Sequence, residues 1–286
     1  MVVELSAVKS VSPWQTHSVR IVSVKAEIPG VMTYRLKFVD QAVGNSFTVE
    51  PGQFNMLYLP GYGESAISVS GYDPENNELL HTVRAAGNVT RALSRLVVGD
   101  ELGLRGPFGQ GWPMETARDG HLVLIAGGLG FAPICSAIET AVQQSSRYRR
   151  ISILAGARSP DQLLYGQQYN LWKAAGAELR LTVDRATSQW SGNVGVVPLL
   201  VNRIEISDPA TTTVMMCGPE MMMWYTAKAA TERNIPAENI WLSMERNMNC
   251  AIGHCGHCQF GPAFICKDGP VLRYDKIASY LKIKGL

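Results

Sequence analysis

Residues 122–138 form the longest apolar stretch of the chain, interrupted by Gly127, Gly128, Gly130 and Pro133 and carrying Ser136 inside it. The length approaches that of a membrane span. A buried strand, a glycine turn and a helix start account better for interruptions at those positions. A strand that passes through a glycine turn into a helix is the opening unit of a parallel sheet covered by helices, so no membrane span is expected.

The surroundings of this stretch agree. From about Gly120 onward, strand-like segments at 122–126, 151–155, 178–183 and 212–216 alternate with helical patterns, the pattern of an α/β parallel-sheet nucleotide domain. The first third of the chain reads differently. Short strands at 33–38, 54–59, 66–70, 79–83 and 102–105 are punctuated by Pro51-Gly52 and Gly61-Tyr62-Gly63, which predicts a small antiparallel β-barrel. One helix near 90–96 interrupts it. The tail after Ile240 has neither pattern. The expected architecture is a β-barrel domain over 1–115, an α/β parallel-sheet domain over 116–240 and a small C-terminal lobe over 241–286, and 286 residues can bury the two cores this requires.

Net charge is +2 with 17% charged residues, which leaves no basic footprint for nucleic acid and no acidic disordered tail. The expected partner is a small molecule or another protein. The opening Met-Val-Val-Glu-Leu lacks a basic segment followed by an apolar one, so the expected setting is cytoplasmic and disulfides are not expected.

Four of the six cysteines crowd the tail as Cys250-x4-Cys255-x2-Cys258-x7-Cys266. The C-x4-C-x2-C spacing with a further Cys is that of [2Fe–2S] ligation by four thiolates. Structural zinc sites usually bring two short pairs set apart by a dozen or more residues, and zinc is the rival reading. Gly253 and Gly256 between the cysteines let backbone amides turn toward sulfur, where hydrogen bonds tune the potential. His254 and His257 are read as a solvated loop, with a Rieske-like His-for-Cys replacement as the alternative. Cys135 and Cys217 lie in apolar segments, where core packing suffices to explain them.

Nucleotide chemistry concentrates in the middle domain. Gly127, Gly128, Leu129 and Gly130 end the first strand and lead into a helix, so a pyrophosphate can approach the backbone and meet unpaired amides and a positive dipole end. Pro133 stands where a Rossmann fingerprint has its third glycine, and a plain tight turn is the bland alternative. Cys217-Gly218-Pro219-Glu220 repeats the arrangement after a later strand, with proline at a favourable helix start. Gly218 lets a flat ring lie close to the chain, whereas Met221, Met222 and Met223 read as adaptable packing. The second strand ends without an acid to hold a ribose 2′-hydroxyl. Arg158 there can meet a 2′-phosphate, which favours NADP(H) over NAD(H). Ser159-Pro160-Asp161-Gln162 predicts a helix cap closed by a capping box.

Pro51-Gly52-Gln53-Phe54, Arg105-Gly106-Pro107-Phe108-Gly109, Gly127 to Gly130 and Cys217-Gly218-Pro219 together resemble the ferredoxin-NADP reductase superfamily over about residues 15–235. With Glu245 to Cys250 and Ile265 to Pro270 added, the chain resembles two related branches. These are the electron-transfer subunit of dihydroorotate dehydrogenase and the gamma, or diaphorase, subunit of cytoplasmic NiFe hydrogenase or sulfhydrogenase. The Gly-His-Cys-Gly-His-Cys-Gln wording of 253–259 is closer to the latter.

The resemblance implies FAD in the barrel. The family's Arg-x-Tyr-Ser run, whose Arg pairs with the pyrophosphate, whose Tyr stacks and whose hydroxyl approaches N5, corresponds here to Ser65-Ala66-Ile67-Ser68. Arg and Tyr are absent and the serine is kept. Ile67 can pack on the ring, and Arg84 or Arg91 would have to meet the phosphate. A second flavin segment is Thr82-Val83-Arg84 followed by Gly87-Asn88-Val89-Thr90 at the start of the barrel helix, where backbone amides can take the pyrophosphate. Thr90 also serves as an ordinary helix cap.

The resemblance further implies a diaphorase in which NAD(P)H reduces FAD and electrons pass singly to the cluster, with Ser68 near N5 and Cys217 to Pro219 near the nicotinamide. No terminal catalyst is encoded. The implied partners are the catalytic and iron–sulfur subunits of a hetero-oligomeric redox complex, a NiFe hydrogenase first. A dihydroorotate dehydrogenase or anaerobic sulfite reductase complex is the alternative, and a non-enzymatic metal-binding redox sensor without flavin is the rival class.

Overall fold

A computed structural model describes residues 12–283. The opening residues, on which the cytoplasmic expectation rests, lie outside them.

Seven antiparallel strands build the first domain: β1 (His17–Ile28), β2 (Val31–Phe38), β3 (Phe54–Leu59), β4 (Gly63–Ser68), β5 (Gly71–Asp73), β6 (Glu78–Arg84) and β7 (Glu101–Phe108). Helix α1 (Gln41–Ser46) follows β2, and α2 (Asn88–Leu93) follows β6. The sheet order is β4-β3-β7-β1-β2-β6-β5. It curls into a barrel whose seam lies between β4 and the β5-β6 edge, where the Ser70 amide donates to Leu80 O at 2.8 Å. Inward side chains alternate along the strands as a half-buried sheet demands: Val19, Ile21, Tyr34, Leu36, Leu57, Leu79 and Leu104 fill the barrel. β1, at twelve residues the longest strand, is not among the strands expected from the sequence. Its sequence His-Ser-Val-Arg-Ile-Val-Ser-Val-Lys-Ala-Glu-Ile alternates weakly because two register irregularities rephase it against β2.

The second domain is an α/β sandwich of β8 (His121–Gly127), α3 (Phe131–Gln143), β9 (Arg150–Ala157), α4 (Tyr169–Ala174), β10 (Glu178–Val183), β11 (Asn193–Val194), α5 (Pro198–Val201), β12 (Thr212–Cys217) and α6 (Glu220–Glu232). Its sheet order, β11-β10-β9-β8-β12, is extended by β13 (Ile240–Ser243) and by β16 (Val271–Arg273), the one antiparallel member. β8 is buried along its whole length, as a strand covered by helices on both faces must be.

The parallel sheet continues past the boundary expected at 240/241. β13 pairs in parallel with β12 from Val214↔Ile240 to Cys217↔Ser243, and its four residues are too few to show a period. The third unit is an excursion between β13 and β16. It contains the cysteine loop, β14 (Gln259–Phe260), β15 (Ala263–Phe264) and α7 (Ile265–Asp268), and α8 (Tyr274–Ile277) follows β16. The excursion has no separate core. Cys250, Cys258, Phe260, Ile265 and Cys266 pack in one cluster with Phe54 and Met56 of β3 and with Met216 and Leu242 of the parallel sheet.

No helix among the described residues is long and apolar enough to cross a membrane.

Candidate functional site

A cleft of about 1300 Å³ opens at the C-terminal ends of the parallel strands, between the two domains. Strand order reverses on either side of β8, and ligands of open α/β sheets bind at such a switch point. Gly127 to Gly130, Arg158, Gly218 and Pro219 all line it, so the structure brings the two glycine turns and the arginine together. The turns interlock. A Cβ added at Gly130 would fall 2.4 Å from Cys217 O, a distance no side chain can accept, so only glycine lets the two strand ends approach each other. Cys217 itself points away. Its thiol is fully buried and lies 3.6 Å from Ser243 O, and burial pushes its pKa well up. Its thiol packs in the core, and the residues that follow it, Gly218 and Pro219, line the cleft.

The methionine run divides by helical phase: Met223 is buried, Met221 is exposed, and Met222 packs with its sulfur against Gly127. Asp184, just past β10, shares the cleft wall with Arg158, and the backbone joins their strand ends through Asp184 N to Ala157 O at 3.0 Å and Arg185 N to Arg158 O at 2.9 Å. The acid that the second strand lacks is thus carried by the third, where the nucleotide-binding pattern gives no reason to look for it. The expected capping box at Ser159 is absent. Residues Pro160–Gln162 make only a 3-10 turn with no side-chain cap, because Leu163 leaves the helical region directly afterward.

The barrel faces the cleft through Ile28, Pro29 and Arg84. Ser65, Ala66, Ile67 and Ser68 lie on β4, an edge strand that pairs only with β3 and is half-buried along these residues. The amino end of α2 lies beside it, with Val89 Cγ2 3.9 Å from the Cβ position of Gly63. No side chain caps the first amides of that helix, because the residue at the cap is Gly87, while Thr90, in the first turn rather than at the cap, turns its Oγ1 backward to accept from the Ala86 and Gly87 amides at 3.0 and 2.9 Å. An uncovered edge strand next to open helix amides fits a flat ring carrying a pyrophosphate. Thr82 and Val83 lie elsewhere. Val83 is in the barrel core, and the Thr82 hydroxyl is taken by Tyr165 Oη at 2.7 Å, Thr33 Oγ1 at 2.8 Å and Ser70 Oγ at 3.0 Å. That network joins the two domains. Arg84 is exposed at the cleft, and Arg91 donates to Gly87 O at 3.3 Å.

The four tail cysteines draw together in one cradle. Cys250 faces Cys255, and Cys258 faces Cys266. Amides of Ile252, His254 and Cys255 point at Cys250 Sγ from 3.5, 3.2 and 3.4 Å, that of Gly253 at Cys266 Sγ from 3.1 Å, and that of Cys266 at Cys258 Sγ from 3.4 Å. Burial raises the Cys250 thiol, but the amides of Cys255, Ile252 and His254 more than offset it and bring it down to about 6. Burial and the adjacent Cys258 push Cys266 up to about 12. Among the described residues no three His, Cys, Asp or Glu side chains close on a single-ion position. Two facing thiol pairs instead suit two metal centres, and amides aimed at sulfur suit thiolate ligands. Gly253 is needed here: its φ is +74°, and a Cβ would meet Lys267 Cδ at 2.8 Å. Cys255, His254 and His257 are exposed, and the other three cysteines are buried.

Residues 124–228 match the oxidoreductase NAD-binding domain family, and residues 245–278 match the iron–sulfur cluster binding domain of dihydroorotate dehydrogenase B. Over 281 residues the chain is 32% identical to the sulfhydrogenase 2 subunit gamma of Pyrococcus furiosus, a similarity that covers 92% of this chain and 96% of that subunit. The chain belongs to the electron-transfer subunits of the ferredoxin-NADP reductase superfamily. Another such subunit, the probable dihydroorotate dehydrogenase B electron transfer subunit of Methanocaldococcus jannaschii, is 32% identical over 262 residues, 90% of each chain. The fold recurs in a solved chain of an NADH-dependent reduced ferredoxin-NADP oxidoreductase, with a TM-score of 0.73 over 92% of both chains at 24% identity. As a member of this superfamily the chain is an NAD(P)H-dependent oxidoreductase subunit that works with FAD and an iron–sulfur cluster.

Proposed function

We propose that this subunit is a diaphorase that connects NAD(P)H in the interdomain cleft to a [2Fe–2S] cluster held by Cys250, Cys255, Cys258 and Cys266, through FAD lying on β4. The observation that carries this reading is the position of β3. That strand pairs with β4 along its whole length, and its outward Phe54 and Met56 pack in the same core as Cys250, Cys258 and Cys266. Flavin supplies the conversion between a two-electron hydride donor and a one-electron cluster.

The chain's own residues orient and insulate. Gly127 to Gly130 and Gly218-Pro219 let the dinucleotide lie close to backbone, Ser68 ends the strand that faces the ring, and the amides of Asn88 to Thr90 with Arg84 and Arg91 meet the pyrophosphate. Exposed Cys255 marks where the cluster comes nearest to solvent.

The relatives are named as subunits of larger enzymes. Similarity to a sulfhydrogenase gamma subunit over nearly its full length favours a NiFe hydrogenase partner, with its catalytic and iron–sulfur subunits, in a cytoplasmic setting. The test is the content of the anaerobically purified chain. One flavin and two irons per chain, with a rhombic S = 1/2 signal after reduction, is the expected result. A colourless preparation containing one zinc would overturn the reading. Anaerobic capture of the chain from its native cells tests the partner, because hydrogenase subunits should co-purify and H2 should reduce the bound flavin.

A further inference from the structure

Arg105 of β7 is 3% exposed and uses all five of its N–H donors. Nε and Nη2 grip the Glu64 carboxylate on β4 at 2.8 and 2.5 Å. The remaining donors reach Cys250 O at 2.9 Å, Asn249 O at 3.0 Å and Pro13 O at 3.3 Å. Its guanidinium lies 5.3 Å from the ring centres of both Trp14 and Phe108. One buried fork therefore spans from the edge strand that carries Ser65 to Ser68, on one side, to the backbone of the first tail cysteine on the other.

An arginine at such a place is a permanent charge, since it does not lose its proton in proteins. It sits where the low local dielectric makes charge count for more than in water. A cation near a cluster favours the state carrying one more electron, and outer hydrogen bonds and nearby charge are recognised controls of cluster potential. Glu64 takes the Nε–Nη2 edge of the guanidinium while Cys250 O takes Nη1, so the pair turns a positive nitrogen to the cysteine loop.

We propose that Arg105, balanced by Glu64, is a positioning residue that seats the Cys250 loop on the barrel and sets the reduction potential of the cluster that loop holds. The proposal rests on Cys250 being a cluster ligand. It makes a signed prediction that a purely structural brace does not. Arg105→Gln removes the cation and leaves the Glu64 carboxylate, which should lower the potential. Glu64→Gln keeps the cation and removes its counter-charge, which should raise it. Arg105→Lys keeps charge but loses the fork, and should lie nearer wild type in potential while altering the g-anisotropy.

The measurement is an anaerobic redox titration of the purified chain followed by electron paramagnetic resonance. Shifts of opposite sign are expected, each near a tenfold change in the reduced-to-oxidised ratio at fixed potential, about 59 mV for a one-electron couple. Shifts of the same sign, or none with the cluster retained, would overturn the proposal. If Arg105→Gln fails to hold a cluster, the near-isosteric Glu64→Gln decides alone, since a fall or no change contradicts the proposal and a rise supports it. Absence of the signal in the wild-type chain would instead remove the ligand reading on which the proposal stands.

Discussion

His81 holds the carbonyl of Ser68 across the seam of the barrel, with Nδ1 3.0 Å from the oxygen, while its Nε2 lies 3.2 Å from Asn55 Nδ2. The ring is fully buried, and burial pushes its pKa down to about 4 against the opposing pull of the Ser68 and Ile67 backbone. It is therefore neutral in the fold, donating from Nδ1 to Ser68 O and accepting from Asn55 on Nε2. The folded pKa lies below the unfolded value, so the unfolded chain binds the proton first as pH falls. Stability should be fully present above pH 6.5 and lost down to about pH 4, at about 1.4 kcal/mol per pH unit. His121, pushed down to about 4 by burial and then by Arg150, acts in parallel. Urea unfolding from pH 7.5 to 4.5 checks this: His81→Gln should lose less stability over that range than wild type, and equal losses would contradict it.

Tyr165 Oη donates to Thr82 Oγ1 at 2.7 Å across the domain boundary. Thr82 keeps Thr33 and Ser70 when the tyrosine hydroxyl is removed. Tyr165→Phe should therefore cost only about 1 kcal/mol, read as a lower unfolding midpoint with unchanged slope. A loss several times larger would show that the hydroxyl network is more than a local tie.

The parallel sheet and its two glycine turns were legible in the sequence because their signals are local: apolar runs bounded by glycine, followed by helical periodicity. The 54–59 segment carries a signal of the same local kind and is the strand β3. β13 and β16 are not legible, since strands of four and three residues carry no period, and they form because β12 offers an edge to β13 and β13 offers one to β16. The cysteine spacing suggests a ligand set, but the way Cys250 and Cys255 face each other is visible only in the fold. Thr82 shows the limit of a motif position. Its motif position suggests a cofactor contact, and the fold adds what the sequence does not show, that its hydroxyl ties the two domains through Tyr165, 83 residues away. Asp184 carries no such signal in the sequence, because it follows the third strand rather than the second.

Arg158 and Asp184 stand at the same rim of the cleft with opposite charge. A 2′-phosphate is attracted by the first and repelled by the second. Arg158→Ala should raise KM for NADPH about tenfold relative to NADH, about 1.4 kcal/mol, and Asp184→Ala should move the preference the other way. Steady-state kinetics with both nucleotides check this, and parallel changes in the two variants would contradict it.

Gly130→Ala places a methyl group 2.4 Å from Cys217 O and forces the two turns apart. Overpacking of this kind costs about 1–3 kcal/mol. The variant should melt earlier and bind NAD(P)H at least several-fold more weakly, measured by nucleotide titration of the oxidised protein. Unchanged affinity would mean that the interlock does not shape the cleft.

On the proposed electron route the cysteine cradle lies downstream of the flavin, so disabling it should leave hydride transfer undisturbed. Cys258→Ser removes a buried thiol that faces Cys266 and leaves the cleft and β4 untouched. Two activities of this variant are to be compared: NAD(P)H reduction of a small acceptor that takes electrons from flavin, and NAD(P)H-driven electron delivery to the partner subunits. The first should stay near wild type and the second should be abolished. Loss of both activities, with FAD bound and the fold intact, would contradict a cluster that lies between the flavin and the partner.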